Sequence, residues 1–149
     1  MSQILLASAS FDLLPVQVWT AKVDGSLDFV NSFVSEYFGI DRQRLLDQGW
    51  KDVCHPFDLI VATEKWRHSL ATGEPYEVNF RLLRGVDRQF RWHLGRAWPH
   101  RSEAGGISAW IGCNTDVDTL KREQEVSAAS AVQSRSELER LQAERRTDR

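Results

Sequence analysis

The chain of 149 residues lacks several features that would place it at once in a large class of proteins. Its two cysteines, Cys54 and Cys113, do not have the spacing of metal ligands, so we interpret them as reduced, partly buried thiols rather than as a disulfide framework. No run of about 18 apolar residues is present, and the short apolar stretch at residues 4–7 lacks the basic flank of a secretory signal. These absences predict a cytoplasmic protein without a membrane partner.

An excess of either charge is also missing, because 19 Lys and Arg residues face 21 Asp and Glu residues. Nucleic-acid-binding proteins usually gather their cations on one face, whereas both signs are interspersed here, so we expect no nucleic-acid partner. The sequence contains no Gly-x-Ser-x-Gly elbow, no Gly-Lys-Ser phosphate loop and no His-Glu-x-x-His zinc pair. We therefore predict no catalytic residues, no metal site and no enzymatic activity.

Aromatic residues are absent after Trp110, and no Gly or Pro follows residue 116. This change in composition predicts one compact domain that ends near residue 117, followed by a polar helix over residues 118–149. From residue 117 onwards, eight residues fall at the a and d spacing of a coiled coil: Val117, Leu120, Gln124, Ser127, Ala131, Ser134, Leu138 and Leu141. Because four of these positions are small or polar, a dimeric coiled coil and a solvated, frayed helix both remain open.

The order of elements before residue 117 is two strands, several helices and three strands. The predicted strands are 17–23, 27–30, 76–84, 89–98 and 107–116, and the predicted helices are 1–15, 32–38, 41–46, 50–53 and 57–71. Asn31 is suited to cap the helix over 32–38, and Gly39 and Gly73 are suited to end the helices before them. This order predicts an α+β fold with an antiparallel sheet.

Five motifs, in this order and spacing, resemble the PAS family of sensor domains across residues 13–125. They are residues 24–31 (DGSLDFVN), 50–58 (WKDVCHPFD), 73–77 (GEPYE), Arg91-Trp92 and Thr115-Asp116-Val117. The resemblance implies a five-stranded antiparallel sheet with helices on one face. It divides the chain into an N-terminal cap helix (1–15), a PAS domain (16–117) and a signalling helix (118–149). One departure is Asp118, which stands where the family signature has threonine.

The resemblance also implies a cavity between sheet and helices. Strand alternation alone groups Trp92 and Trp98 with the apolar residues of the preceding strand and would bury them. Residues 92–99, however, resemble the flavin-binding PAS strand, in which the residue after the tryptophan faces the ligand. That likeness implies that His93, Asn79, Arg81 and Asn114 face the cavity. Because a buried guanidinium needs a partner, the expected ligand is small and polar or anionic.

The alternative for Asn79 and Arg81 is the solvent face of a half-buried sheet, and for His93 a structural hydrogen bond. If the resemblance holds, the outward face carries Trp92 and Trp98. An exposed patch of this kind would be covered by the N-terminal segment with Phe11 and Leu14 and by a second subunit.

We therefore predict a homodimer, with Leu138 and Leu141 contributing along the C-terminal helix. Asp116 and Asp118 are the candidates for coupling the last strand to that helix.

The cofactor is not assigned by the sequence. Flavin–thiol chemistry is disfavoured because the neighbours of Cys54 do not match the family's photoactive segment. Haem through His68 is disfavoured because this residue lies opposite the apolar face of its helix.

The resemblance implies a two-component or other signalling protein with a kinase, cyclase or regulator as effector. The competing hypothesis is a ligand-free interaction module whose core is filled by large side chains such as Phe38 and Trp66. The volume of the cavity distinguishes the ligand-binding sensor from the ligand-free interaction module.

Overall fold

The computed structural model describes residues 9–147, and these fall into two units that meet in the chain between Asp116 and Val117. The first unit contains five strands: β1 (Gln17–Ala21), β2 (Leu27–Val30), β3 (Tyr76–Leu83), β4 (Phe90–Arg101) and β5 (Ile107–Asp116). They form one antiparallel sheet in the order β2-β1-β5-β4-β3. The predicted α+β fold with five antiparallel strands is confirmed.

Between β2 and β3 the chain forms α1 (Ser32–Phe38), α2 (Arg42–Leu45), a 3₁₀ helix (Gly49–Val53) and α3 (Pro56–Thr72). The predicted capping of α1 is confirmed, since the Asn31 side chain accepts a hydrogen bond from the Val34 N–H. Gly39 ends α1 with a φ of 66°, a left-handed conformation that glycine adopts at little cost. Buried side chains on these helices, Val34 and Phe38 among them, pack onto one face of the sheet, here called the inner face.

The pairing of β3 with β4 decides which side chains share the inner face. Tyr76 lies opposite Ala97 and Phe80 opposite His93, so even-numbered residues of β3 share a face with odd-numbered residues of β4. Which residues of β4 lie opposite which residues of β3 depends on the length of the loop 84–89. Its six residues separate Leu83 from Phe90, which are paired across the two strands. The grouping of Tyr76 with Trp92 by simple alternation is therefore wrong.

The segment before β1 differs from the helix predicted over residues 1–15. Residues 9–11 are helical and residues 12–16 form turns and bends, while residues 1–8 lie outside the described part of the chain. Asn31 Nδ2 donates hydrogen bonds to the carbonyls of Phe11 (2.9 Å) and Val16 (2.8 Å), and Asp12 accepts one from the Ser32 N–H. These polar contacts hold the segment 11–16 in a non-helical path because Asn31 compensates the carbonyls that a helix would otherwise satisfy.

The second unit contains α4 (Asp118–Thr147), a helix of 30 residues whose side chains are almost all exposed. Leu138 and Leu141, on the predicted seam, are 58% and 46% exposed in the single chain. None of the helices within residues 9–147 is both long enough and apolar enough to cross a membrane.

Candidate functional site

A cavity of about 60 Å³ lies between the inner face of the sheet and the helices. Its walls come from four strands and from every helical segment between β2 and β3: Trp19, Leu27, Val30, Val34, Phe38, Leu45, Trp50, Val53, Trp66, Tyr76, Phe80, Leu82 and Asn114. None of these lining side chains carries a formal charge, and Asn114 is their single amide. The cavity is small beside the roughly 300–1,000 Å³ of typical ligand pockets.

Four aromatic side chains fill the space next to the cavity. The ring of Trp66 on α3 packs edge to face on Trp19 (5.6 Å between centroids), Tyr76 (5.0 Å) and Trp110 (5.2 Å). Two of their polar atoms are satisfied by backbone carbonyls, the Trp66 N–H by Gly25 (3.2 Å) and the Tyr76 O–H by Ala62 (3.3 Å). Burial raises the pKa of Tyr76, which keeps this phenol neutral. We call these four residues the aromatic cluster.

Trp19 occupies its place because the strand beside it carries glycine. Trp19 on β1 pairs with Gly112 on β5, and a Cβ atom at Gly112 would lie 2.2 Å from the indole ring. The indole N–H donates to Asn114 Oδ1 at 3.1 Å, which fixes the ring across β5. The predicted inward placement of Asn114 is thus observed, and Trp19 lines the cavity with it.

His93 is fully buried on the inner face, where the resemblance placed it. Its Nδ1 lies 2.8 Å from the Arg91 carbonyl, which can only accept, so Nδ1 carries the proton and Nε2 accepts from Gln17 Nε2 at 3.1 Å. The Gln17 Oε1 atom is buried without a hydrogen-bond partner in the described residues. Tyr37 packs edge to face on the imidazole at 5.3 Å. The role of His93 in ligand binding stays a prediction.

Asp116, the last residue of β5, holds two other elements together. The Arg91 guanidinium on β4 binds both carboxylate oxygens, at 2.7 and 3.2 Å, and the Tyr37 hydroxyl on α1 donates at 2.6 Å. The Asp116 and Arg91 side chains are 22% and 20% exposed, so the pair is mostly shielded from water. Burial, together with the hydrogen bond to Asp116, raises the pKa of Tyr37. We call Gln17, Tyr37, Arg91, His93 and Asp116 the polar cluster.

Asp118, the second residue predicted to couple strand and helix, is the first residue of α4. Its carboxylate accepts a hydrogen bond from the Arg122 guanidinium at 2.5 Å, one helical turn further along. A negative charge in the first turn also interacts favourably with the helix dipole.

Asn79 and Arg81 do not face the cavity, and the prediction that they line it is wrong. Both lie on the outer face because β3 and β4 pair with the opposite phase to that assumed. Arg81 binds Asp58 at the start of α3 through Nε (2.7 Å), and its guanidinium lies 5.0 Å from the centre of the Trp92 ring. The hydrogen bonds from Arg81 hold the pKa of Asp58 below its usual range. This cation fastens α3 to the edge strand and is already paired.

The residues predicted to form a dimer face have mixed positions. Trp98 on the outer face is 51% exposed beneath the Arg96 guanidinium, and Trp92 is partly buried on the same face. Leu14 is 44% exposed, whereas Phe11 packs on Phe29 at 6.2 Å. Their part in dimerisation stays a prediction.

The residues weighed for cofactor chemistry lie apart from the cavity centre. His68 is on the exposed side of α3, bonded to Glu74 at 2.9 Å, as its position on the helix predicted. His55 accepts the Phe57 N–H at 3.2 Å and caps α3. Burial, and to a lesser degree Asp58, raises the pKa of the Cys54 thiol to about 12, which disfavours the reactive thiolate. Within residues 9–147 no group of three or more metal-ligating side chains comes together.

The sequence interpretation missed Trp19, Gln17 and Tyr37. The sequence did contain a signal for Gln17. It is the one amide in the strand Gln17–Ala21, whose other residues are typical of a buried strand. No local sequence pattern indicates the other two residues, because each makes its contact with a distant segment. Trp19 packs on Gly112, and Tyr37 donates a hydrogen bond to Asp116.

Comparisons with known proteins agree with this architecture. The family model described as PAS fold matches residues 27–114. The chain is 34% identical over 111 residues to the uncharacterized protein y4lL of Sinorhizobium fredii, and 30% identical over 117 residues to the peroxide stress-activated histidine kinase mak2 of Schizosaccharomyces pombe. These alignments cover 74% and 78% of this chain, but only 13% and 5% of the relatives' lengths.

Two solved structures show the same fold at lower identity. An RNA-binding light-oxygen-voltage receptor has a TM-score of 0.69 at 19% identity, covering 89% of this chain and 39% of that one. A sensory box histidine kinase/response regulator from Burkholderia thailandensis has a TM-score of 0.62 at 20% identity, covering 91% and 99%. The chain belongs to the PAS family, as a sensory domain of the kind found in signalling proteins such as histidine kinases.

Proposed function

We propose that this PAS domain senses a small molecule in its core and passes the response through Asp116 to α4. The observation that carries the proposal is the position of Asp116. It is bound by a helix of the core through Tyr37 and by a central strand through Arg91, and α4 begins two residues later, at Asp118. A change in the cavity walls that moves α1 or β4 therefore alters the contacts at the residue where the sheet leads into the helix.

The output of the domain is proposed to be a dimeric α4 that acts on an effector. The apolar side chains of Leu120, Leu138 and Leu141 are exposed in the single chain and match the predicted seam. The similarity to the two histidine kinases supports a kinase as effector, with a cyclase or regulator as the other expectation. The domain itself is proposed to have no catalytic activity.

Hydrogen exchange of α4 in a double-mutant cycle tests the coupling without any ligand. Val34→Ala trims a cavity wall on α1, and Asp116→Asn removes the charge that Tyr37 and Arg91 bind. We expect Val34→Ala to change exchange in the first turns of α4 by about fivefold or more, the lower end of typical coupling energies. This change should disappear in the Asp116→Asn background.

Arg96→Met, on the exposed outer face of β4, is the matched control and should leave exchange of α4 unchanged. If Val34→Ala has the same effect in the unmodified protein and in the Asp116→Asn background, the signal does not pass through this carboxylate and the proposal is wrong.

A second candidate function is a ligand-free interaction module, and the small cavity beside the aromatic cluster favours it. Native mass spectrometry of the purified protein separates the two. A dimer with an extra mass that is lost on denaturation supports the sensor, and an apo dimer supports the interaction module. A monomer contradicts the dimeric output in either case.

A further inference from the structure

One of the large side chains that bound the core cavity comes from the sheet itself. Trp19 projects from β1 and lies against the backbone of Gly112, so its ring covers β5 where a side chain on that strand would otherwise stand. With this ring in place the free volume is about 60 Å³. At roughly 10–15 Å³ for each buried water, this space holds about four to six water molecules. A ligand of more than a few non-hydrogen atoms requires a wall of the cavity to move, and Trp19 is one of these walls.

The hydrogen bond between Trp19 and Asn114 holds the indole ring and leaves one polar group of Asn114 for a ligand. The Trp19 N–H donates to Asn114 Oδ1, and the other half of that amide, Nδ2, makes no hydrogen bond to the described residues. Asn114 lines the cavity, so its N–H₂ group is the donor offered to a ligand. The remaining lining is aliphatic or aromatic.

The charge of the surroundings excludes an ionic ligand. No charged side chain among residues 9–147 lines the cavity, and Arg81, which was expected to supply a cation, is bound to Asp58 outside it. A carboxylate or ammonium group in this space would lose its hydration without gaining a counter-charge, which strongly disfavours its binding. Of the small polar or anionic ligands expected from the sequence, the anionic ones do not fit this lining.

We propose that the cavity binds a neutral, largely apolar molecule of a few non-hydrogen atoms with one hydrogen-bond acceptor for Asn114, and that Trp19 sets the upper limit of its size. The inference deepens the sensory function proposed above and rests on it. Trp19 is then the specificity-determining residue, because it is the wall whose removal enlarges the cavity along β5.

Two pairs of probes test charge and size in NMR titrations of the whole chain. Propionamide and propionate have the same number of non-hydrogen atoms and differ in charge. We expect propionamide to shift the backbone amides around Asn114 and propionate to bind at least about tenfold more weakly. Benzamide, which keeps the amide and enlarges the apolar part, should not bind the unmodified protein.

Trp19→Ala and Trp19→Phe remove all or part of the wall, and each should bind benzamide with an affinity at least about tenfold above the limit at which binding to the unmodified protein would be detected. Trp98→Ala, which removes an exposed tryptophan from the outer face, is the control and should not change benzamide binding. If neither Trp19 variant folds, the unmodified protein still decides the matter through its preference between propionamide and benzamide.

Three results would overturn the inference: propionate binding as tightly as propionamide, benzamide binding to the unmodified protein, or no shift with propionamide. None of these affects the exchange cycle of Val34→Ala and Asp116→Asn, which uses no ligand. Failure of the ligand class and failure of the coupling are thus distinguishable.

Discussion

The two ends of the inner sheet face are built from different chemistry. At one end the aromatic cluster packs Trp66 against Trp19, Tyr76 and Trp110. The indole N–H groups of Trp66 and Trp19 and the Tyr76 hydroxyl each donate a hydrogen bond. At the other end the polar cluster joins β1, α1, β4 and β5 through hydrogen bonds and an ion pair. Both ends are largely shielded from water, although Tyr37, Arg91 and Asp116 are only partly buried, so the main difference is one of directionality. Packing tolerates small shifts in any direction, whereas hydrogen bonds are made or lost with geometry.

This difference suggests a division of labour along β5. Trp110 in the aromatic cluster and Asp116 in the polar cluster belong to the same strand, with Asn114 of the cavity wall between them. We propose that the aromatic end supplies most of the stability and limits the size of a ligand, and that the polar end changes its hydrogen bonds when the elements that it joins move. The predictions that follow compare variants of the aromatic cluster with variants of the polar cluster.

Trp66→Ala should give the largest effect. Trp66 is 9% exposed and contacts the three other aromatic rings of its cluster, so truncation leaves a large cavity. We expect the free energy of unfolding to fall by about 3–5 kcal/mol, measured by urea denaturation. Trp98→Ala removes the same side chain from the exposed outer face and should cost less than about 1 kcal/mol. Equal losses at the two sites would show that the aromatic cluster is not the main source of stability.

Arg91→Met should have the next largest effect, at the polar end. Methionine keeps much of the apolar stem but leaves the shielded Asp116 carboxylate without its guanidinium. We expect a loss of roughly 2–3 kcal/mol in the same assay, because breaking a partly buried ion pair strands a charge. Arg96→Met is the control on the same strand, since Arg96 is half exposed and lies 3.8 Å from Glu77. That variant should change stability by less than about 0.5 kcal/mol.

The sequence was sufficient for much of the fold because capping signals are local. Asn31 and Gly39 bracket a helix whose observed bounds, Ser32–Phe38, match the predicted ones, and β5 also matches at Ile107–Asp116. β4 extends to Arg101, three residues beyond its predicted end, because its pairing with β5 continues past Pro99. Proline lacks an N–H but keeps its carbonyl, so a strand can pass through such a position.

The candidate site was only partly predictable because it depends on pairing between strands. Alternation fixes which residues of one strand share a face, but the six-residue loop 84–89 fixes the phase of β3 relative to β4. This is why His93 was placed correctly by resemblance while Asn79 and Arg81 were not. The contact of Trp19 with Gly112 joins residues far apart in the chain, and the cavity volume is the result of packing that no local pattern contains.

Alkaline titration distinguishes the two ends through their tyrosines. The pKa values of Tyr76 and Tyr37 are both raised, by burial in each case, with the Asp116 carboxylate adding to the effect at Tyr37. A pKa that is higher in the folded protein contributes stability that is complete below the unfolded value of about 10 and is lost as the pH rises through the folded value. The protein should therefore lose stability above about pH 10.

Asp116→Asn should lower the pKa of Tyr37 and leave that of Tyr76 unchanged, measured by NMR of ring-labelled tyrosine. Each unit of this shift corresponds to about 1.4 kcal/mol. Glu77→Gln, which removes an exposed carboxylate from β3, is the control and should move neither pKa. An equal decrease at both tyrosines after Asp116→Asn would mean that the two clusters are not electrostatically separate.

Gln17→Met should have the smallest effect, although it changes a side chain that is 2% exposed. The substitution removes one partner of the buried hydrogen bond to His93, which costs about 1–3 kcal/mol, but it also removes the buried Oε1 atom without a partner in the described residues, which relieves a penalty of about 1–3 kcal/mol. These terms nearly cancel, so we expect the free energy of unfolding to change by less than about 1 kcal/mol. A loss above about 2 kcal/mol would contradict this account, because it would mean that the Oε1 atom is hydrogen-bonded in solution. The polar end would then be as fully satisfied as the aromatic end, and the contrast between them would rest on the Asp116 ion pair alone.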